Sequence, residues 1–228
     1  MKKNIINDSQ LGLIQTMEDF QLFHSESGLI DFVSIEEDLL QLADYSRETL
    51  EYTKKKYNSI KFDDEDQYLE SDLSAEDYDV HFDYVYNWED NMVFLSPSLV
   101  MVSLYLFTEK SLKDLCYSFT PGAKDWRVPV DKRFKVPKKH NESIVDASLK
   151  YLCSSEKFSF EIDQSYYDIF EKIRLLRNNF AHGDWENVRK ILSEISVEQG
   201  FKIVSQLFYI IEKGMIEEQN FSNKTGNH

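Results

Sequence analysis

The sequence predicts a mainly α protein built as a helical bundle. Its 228 residues include 7 Gly and 4 Pro, too few chain-breaking residues for a loop-rich β fold. Apolar residues recur at three- and four-residue spacing through long stretches, which is the period of an amphipathic helix. Hydrophobic residues make up 42% and aromatic residues 14%, so a chain of this length can fill a core.

Residues 1–27 read as polar and irregular. From Leu29 to about Ile60 the pattern turns helical, with Phe32, Ile35, Leu39, Leu42 and Tyr45 as its stripe. Lys54-Lys55-Lys56 falls near the C-terminal end, where cations suit the helix dipole. Residues 62–92 are acidic and aromatic. Within them Val80-His81-Phe82-Asp83-Tyr84 alternates, so this stretch reads as either a strand or an irregular connection. Ser96-Pro97 predicts a helix start, with Ser96 as cap and Pro97 in the first turn. Its stripe is Leu99, Val102, Leu106, Leu112 and Leu115, and it is expected to stop near Ser118, before Pro121-Gly122. Three prolines exclude a continuous helix through 121–140. Further helices are predicted at about 141–153, 163–180, 185–196 and 197–217. Gly183 breaks the second of these, and Asp184 caps the next.

Charge divides the chain. Residues 1–93 carry 7 Lys+Arg against 23 Asp+Glu, a net −16; residues 94–228 carry 19 against 18, a net +1. The expected organisation is an acidic N-terminal extension, 1–93, followed by a helical bundle, 94–228. The acidic segment 63–90 reads either as a solubilising appendage or as a strand of charge that occupies a basic cleft and restrains it. The concentrated basic segment is 124–139, with Lys124, Arg127, Lys132, Arg133, Lys135, Lys138 and Lys139 interleaved with Trp126 and Phe134. Such a segment suits RNA phosphates and stacked bases; the plain alternatives are a solvated loop or one that pairs with the acidic N-terminal part.

Several classes find no support. Met1-Lys2-Lys3 is followed by no apolar run, so no secretory signal is read. The longest apolar stretch, Leu99 to Phe107, is short of a membrane span. Cys116 and Cys153 sit in apolar runs without metal-ligand spacing, as buried free thiols of a reducing compartment would. The expectation is a cytoplasmic protein that does not engage a membrane. His24, His81, His140 and His228 form no metal pattern, and no phosphate-binding glycine loop, CxxC or HExxH occurs. No cofactor and no metal ligand are therefore expected.

One run carries chemistry: Arg177-Asn178-Asn179-Phe180-Ala181-His182-Gly183-Asp184. An arginine clamps phosphate with a planar fork, and a histidine moves protons near neutral pH. Together they suit phosphodiester cleavage without a metal. Five positions separate them, about 140° on an ideal helix, so the helix is expected to end or loosen between them. With 6 Arg and 5 His in the chain, an Arg-His pair at one fixed spacing arises by chance about 0.13 times, and about 0.007 times with Asn required next.

Here the chain resembles the HEPN superfamily, whose signature is Arg, a polar residue, and His after four to six intervening residues. Arg177, Asn178 and His182 match it, Gly183 is a frequent companion, and the resemblance covers about residues 95–218. It implies an antiparallel HEPN-like bundle, here with an acidic helical extension, that dimerises through the helices bearing the motif. It also implies a metal-independent ribonuclease of toxin–antitoxin, phage-defence or RNA-processing type, with RNA as substrate and a cognate antitoxin or regulator as partner. His182 would take the ribose 2′-OH proton, Arg177 would stabilise the phosphoryl oxygens, and Asn178 would orient the phosphate or imidazole. Relatives often place an acidic residue near the pair, a role that falls on Glu109; the plain alternative is a surface pair with Lys113. A non-catalytic RNA-, nucleotide- or protein-binding module is the competing reading. One subgroup carries a Tyr two residues after the His that a partner enzyme modifies; Asp184 stands there, which counts against that regulation.

Overall fold

A computed structural model describes residues 15, 17, 20–60, 74–120, 135–155 and 158–225. The elements are α1 (Ile30–Ile60), α2 (Ala75–Asp90), a π-helical turn (Asn91–Leu95), α3 (Ser96–Phe119), α4 (Ile144–Cys153), α5 (Gln164–His182), α6 (Trp185–Glu194) and α7 (Val197–Thr225). The protein is mainly helical, with no strand among the described residues.

The stretch that alternates at Val80–Tyr84 is helical, inside α2. Its start is written in Ser74-Ala75-Glu76-Asp77: the Ser74 hydroxyl accepts from the Asp77 amide at 3.1 Å, satisfying a donor that the first turn leaves free. Five alternating residues fit either period, and the cap decides.

Ser96 is not a helix cap. Backbone winding is continuous from α2 into α3, and the Ser96 amide donates five residues back, to the Asn91 carbonyl. Pro97 has no amide and its ring crowds the preceding turn. The wider π turn just ahead of it accommodates both defects without breaking the helix. The expected boundary at 93/94 therefore falls inside a continuous helix. Within that run, Asp79–Phe119 contains an apolar window long enough to cross a membrane, but 61% of the window is buried inside the fold, as in a core helix.

α3 is the central element, packing against α1, α4, α5, α6 and α7. Met101, Leu104, Tyr105, Leu112, Leu115 and Cys116 form its buried face. Leu99 and Leu106, expected inside, are each 47% exposed. The inward face of α1 is Phe32, Ile35, Leu39, Ala43, Ser46, Leu50, Thr53 and Tyr57; Tyr45 lies outside. The α1 residues share one apolar cluster with those of α3 to α7. Cys116 is a buried free thiol, pushed up to about 11 by burial, whereas Cys153 is exposed rather than buried.

The segment ahead of α1 is anchored, although it reads as polar and irregular. Phe23 is buried between Phe32 and Phe208, with ring centroids 6.4 and 6.1 Å away. Beside it Glu212 of α7 is 1% exposed. Its carboxylate accepts from the Ser25 hydroxyl at 2.6 Å, the Glu26 amide at 3.1 Å, and the Ser27 amide and hydroxyl. A buried carboxylate requires such partners, and short side chains with free backbone amides supply them. On α7, Gly214 lets the segment after α4 lie close: a Cβ there would sit 2.5 Å from the Ser159 carbonyl oxygen.

His24 closes the strap against α1, with Nδ1 2.7 Å from Glu36 Oε1. The hydrogen bond and charge of Glu36 hold His24 above its ordinary 6.5. The Ser25 amide and then His24 hold Glu36 below its ordinary 4.5. The His24 contribution is full below about pH 6.5 and is lost as pH rises through its raised value; that of Glu36 is full above about pH 4.5 and is lost as pH falls. His24→Ala should therefore destabilise most between these limits and lose its effect in alkaline solution. Urea unfolding of wild type and variant at pH 5.5 and pH 9 measures the difference.

Candidate functional site

α5 begins at Asp163, whose carboxylate accepts from the Ser165 amide at 2.8 Å. Phe170, Ile173 and Leu176 turn inward, which fixes the rotation of the helix. Arg177 and Asn178 are then half-buried and His182 is exposed.

The helix does not end between Arg177 and His182. It continues through His182 and stops at Gly183, at φ 73°. The Asp184 amide donates to the Asn179 carbonyl at 2.9 Å and the Gly183 amide to the Phe180 carbonyl at 3.2 Å. These paired bonds satisfy the last carbonyls beyond the motif, so the break that Gly183 supplies comes after His182. Asp184 then caps α6, accepting from the Asn187 amide. Arg177 and His182 keep their angular separation of about 140° and do not meet within one chain.

Arg177 instead lies near Tyr105 of α3. Its Nη1 donates to Asn178 Oδ1 at 2.8 Å, so Asn178 braces the guanidinium rather than the imidazole. The Arg177 Cζ lies 6.0 Å from the Tyr105 ring centroid. Tyr105 is buried, and burial first, then the Glu109 charge, pushes its hydroxyl up to about 12, with Arg174 and Arg177 pulling the other way. At neutral pH it is a proton-bearing group able to donate a hydrogen bond. Glu109 lies in this neighbourhood but pairs with Lys113, one turn along α3, at 3.9 Å. Arg174, one turn before Arg177, is held by two hydrogen bonds to Glu171. Glu109, Arg174 and Arg177 thus all act electrostatically on Tyr105. Tyr105 and Arg174 were not legible as site residues: the first reads as a core aromatic, and the second as a surface charge.

His182 makes no hydrogen bond or ion pair with a described residue. On the same helix end, Phe180 meets Trp185 edge to face at 5.4 Å, and Phe94 meets Trp185 at 5.8 Å.

Of the basic segment, Lys135, Lys138 and Lys139 are exposed, and the Lys139 amide donates to Glu142. Lys124, Arg127, Lys132 and Arg133 lie outside the described residues. No group of three or more His, Cys, Asp or Glu suited to a metal ion occurs among the described residues. No protein-family model, no curated protein and no solved structure matches the chain.

Because Gly183 adopts a left-handed conformation, Gly183→Ala should destabilise the protein by about 1 kcal/mol. Chemical denaturation read by circular dichroism checks this.

Proposed function

We propose that the protein is a metal-independent endoribonuclease of HEPN type, acting on cytoplasmic RNA at a site composed of two chains. The observation that carries this reading is the arrangement at the end of α5. A braced, half-buried arginine and an unpartnered, exposed histidine occupy different faces of one helix end. A reaction that needs both around one phosphate takes them from converging copies of the helix.

A two-fold axis supplies that convergence. Leu95 at the end of the π turn is followed by Leu99 and Leu106 on the outward side of α3, and Leu175 precedes His182 by two turns on α5. These exposed apolar side chains suit burial against a second copy.

In the proposed reaction one His182 takes the proton from a ribose 2′-OH, and that oxygen attacks the adjacent phosphorus. The P–O5′ bond breaks, and the partner copy's imidazolium returns a proton to the leaving oxygen. Arg177 and its symmetry mate offset the charge on the phosphoryl oxygens. The products are a 2′,3′-cyclic phosphate and a 5′-OH. Such an enzyme suits a toxin or defence effector, with an antitoxin or regulator that restrains it.

A non-catalytic module that binds RNA, nucleotides or protein is the second reading. It is favoured by the engagement of Arg177 with Asn178 and by the distance of Glu109 from any direct bond to the motif.

Purified protein incubated with mixed RNA in EDTA should cut it and leave DNA intact. Arg177→Ala and His182→Ala should each lower the rate by about a hundredfold or more. Binding without cleavage would support the second reading, and robust DNA cutting would rule out attack by a 2′-OH.

Leu99→Asp combined with Leu106→Asp should convert a dimer to a monomer in analytical ultracentrifugation and abolish cleavage. A dimer that survives both substitutions would move the interface elsewhere.

A further inference from the structure

Trp185 opens α6 three residues after His182, and its side chain is 46% exposed. It is nevertheless held firmly. Phe94, itself buried, and Phe180 contact it edge to face, with interplanar angles of 82° and 76°. Its Cζ2 lies 3.8 Å from the position where a side chain on Gly183 would begin, so the ring rests against the backbone next to His182. One turn further on, Arg189 stacks over Phe94 with its Cζ 4.1 Å from the ring centroid, and pairs with Asp90. An aromatic ring held by two other rings is thus left partly in water, three residues from His182.

We infer that Trp185 is a nucleobase-stacking subsite that positions a base flanking the scissile phosphate. The inference rests on the reading of Arg177 and His182 as an RNA-acting site. Every base has a π-face, so an indole fixed in one orientation grips single-stranded RNA without demanding a sequence. Two edge-to-face contacts fix the ring before RNA arrives, so little motion is lost on stacking. Arg189, one turn along α6, is engaged with Asp90 and Phe94 and so steadies the Phe94 ring on which Trp185 leans.

The test measures binding without turnover. The probe is a short single-stranded RNA with 2′-O-methyl sugars, which cannot supply the attacking hydroxyl, and a fluorescent 2-aminopurine. With wild-type protein its emission should be quenched on binding. Trp185→Ala and Trp185→Leu should weaken binding by about five- to a hundredfold and remove the quenching. Trp185→Phe should keep most of both. Leucine retains an apolar contact to Phe94 and Phe180 but has no π-face, so it separates stacking from packing if the alanine variant folds poorly; thermal unfolding of each variant reports folding. Equal affinity of wild type and a folded Trp185→Leu protein would overturn the subsite, as would a probe that does not bind. Unmodified RNA assayed in parallel separates this result from the enzymatic reading. Cleavage with Trp185-independent binding sinks the subsite alone. Trp185-dependent binding without cleavage sustains the subsite and removes the ribonuclease.

Discussion

A helix as apolar as α3 has to be covered, and the rest of the molecule is arranged to cover it. Leu104, Leu112, Leu115 and Cys116 have no contact with water, because α1, α4, α5, α6 and α7 close around them. Burial of several such side chains, each contributing about 1.5–3 kcal/mol, dominates local preferences. It is the reason that Pro97 is tolerated inside a helical run and that a π turn precedes it. It also sets the rotation of α5, and hence which of its last residues look outward.

Much of this arrangement was readable from the chain. The helix period at Phe32–Leu39, the Asp184 cap and the Gly183 stop depend on local spacing and backbone geometry, which the sequence states directly. The errors arose where tertiary packing chooses between faces. Leu99 and Leu106 have the right spacing for a core stripe, but the stripe that wins includes Met101, Leu104, Tyr105 and Thr108. Tyr45 fits the α1 period on paper, yet Ala43 and Ser46 are the residues that face the core there. Phe23 lacks any periodic neighbour and was invisible until α7 supplied its pocket.

The candidate site divides along the same line. Arg177, Asn178 and His182 stand out because they are close in sequence and chemically unusual together. Tyr105 reaches them from α3, and no local pattern distinguishes a tyrosine facing an arginine from one filling a core. Trp185 follows the motif closely in the chain, but its exposure is a property of the α5–α6 corner and of Phe94, which arrives from far upstream. The expectation that Arg177 and His182 meet within a chain failed for a simple reason: the paired hydrogen bonds at Gly183 and Asp184 lie one residue too late to unwind the helix between them.

The clasp at Glu212 has a consequence for the order of events in the cell. Ser25, Glu26 and Ser27 are made early by the ribosome, but the carboxylate that gathers them is made nearly two hundred residues later. Until α7 has emerged, the segment carrying Phe23 has neither its polar anchor nor the Phe208 face it packs against. A nascent chain therefore holds the helix end with Arg177 and His182 before the molecule around it can close. Docking of this segment is therefore a late step of folding, completed only after α7 is available to receive it.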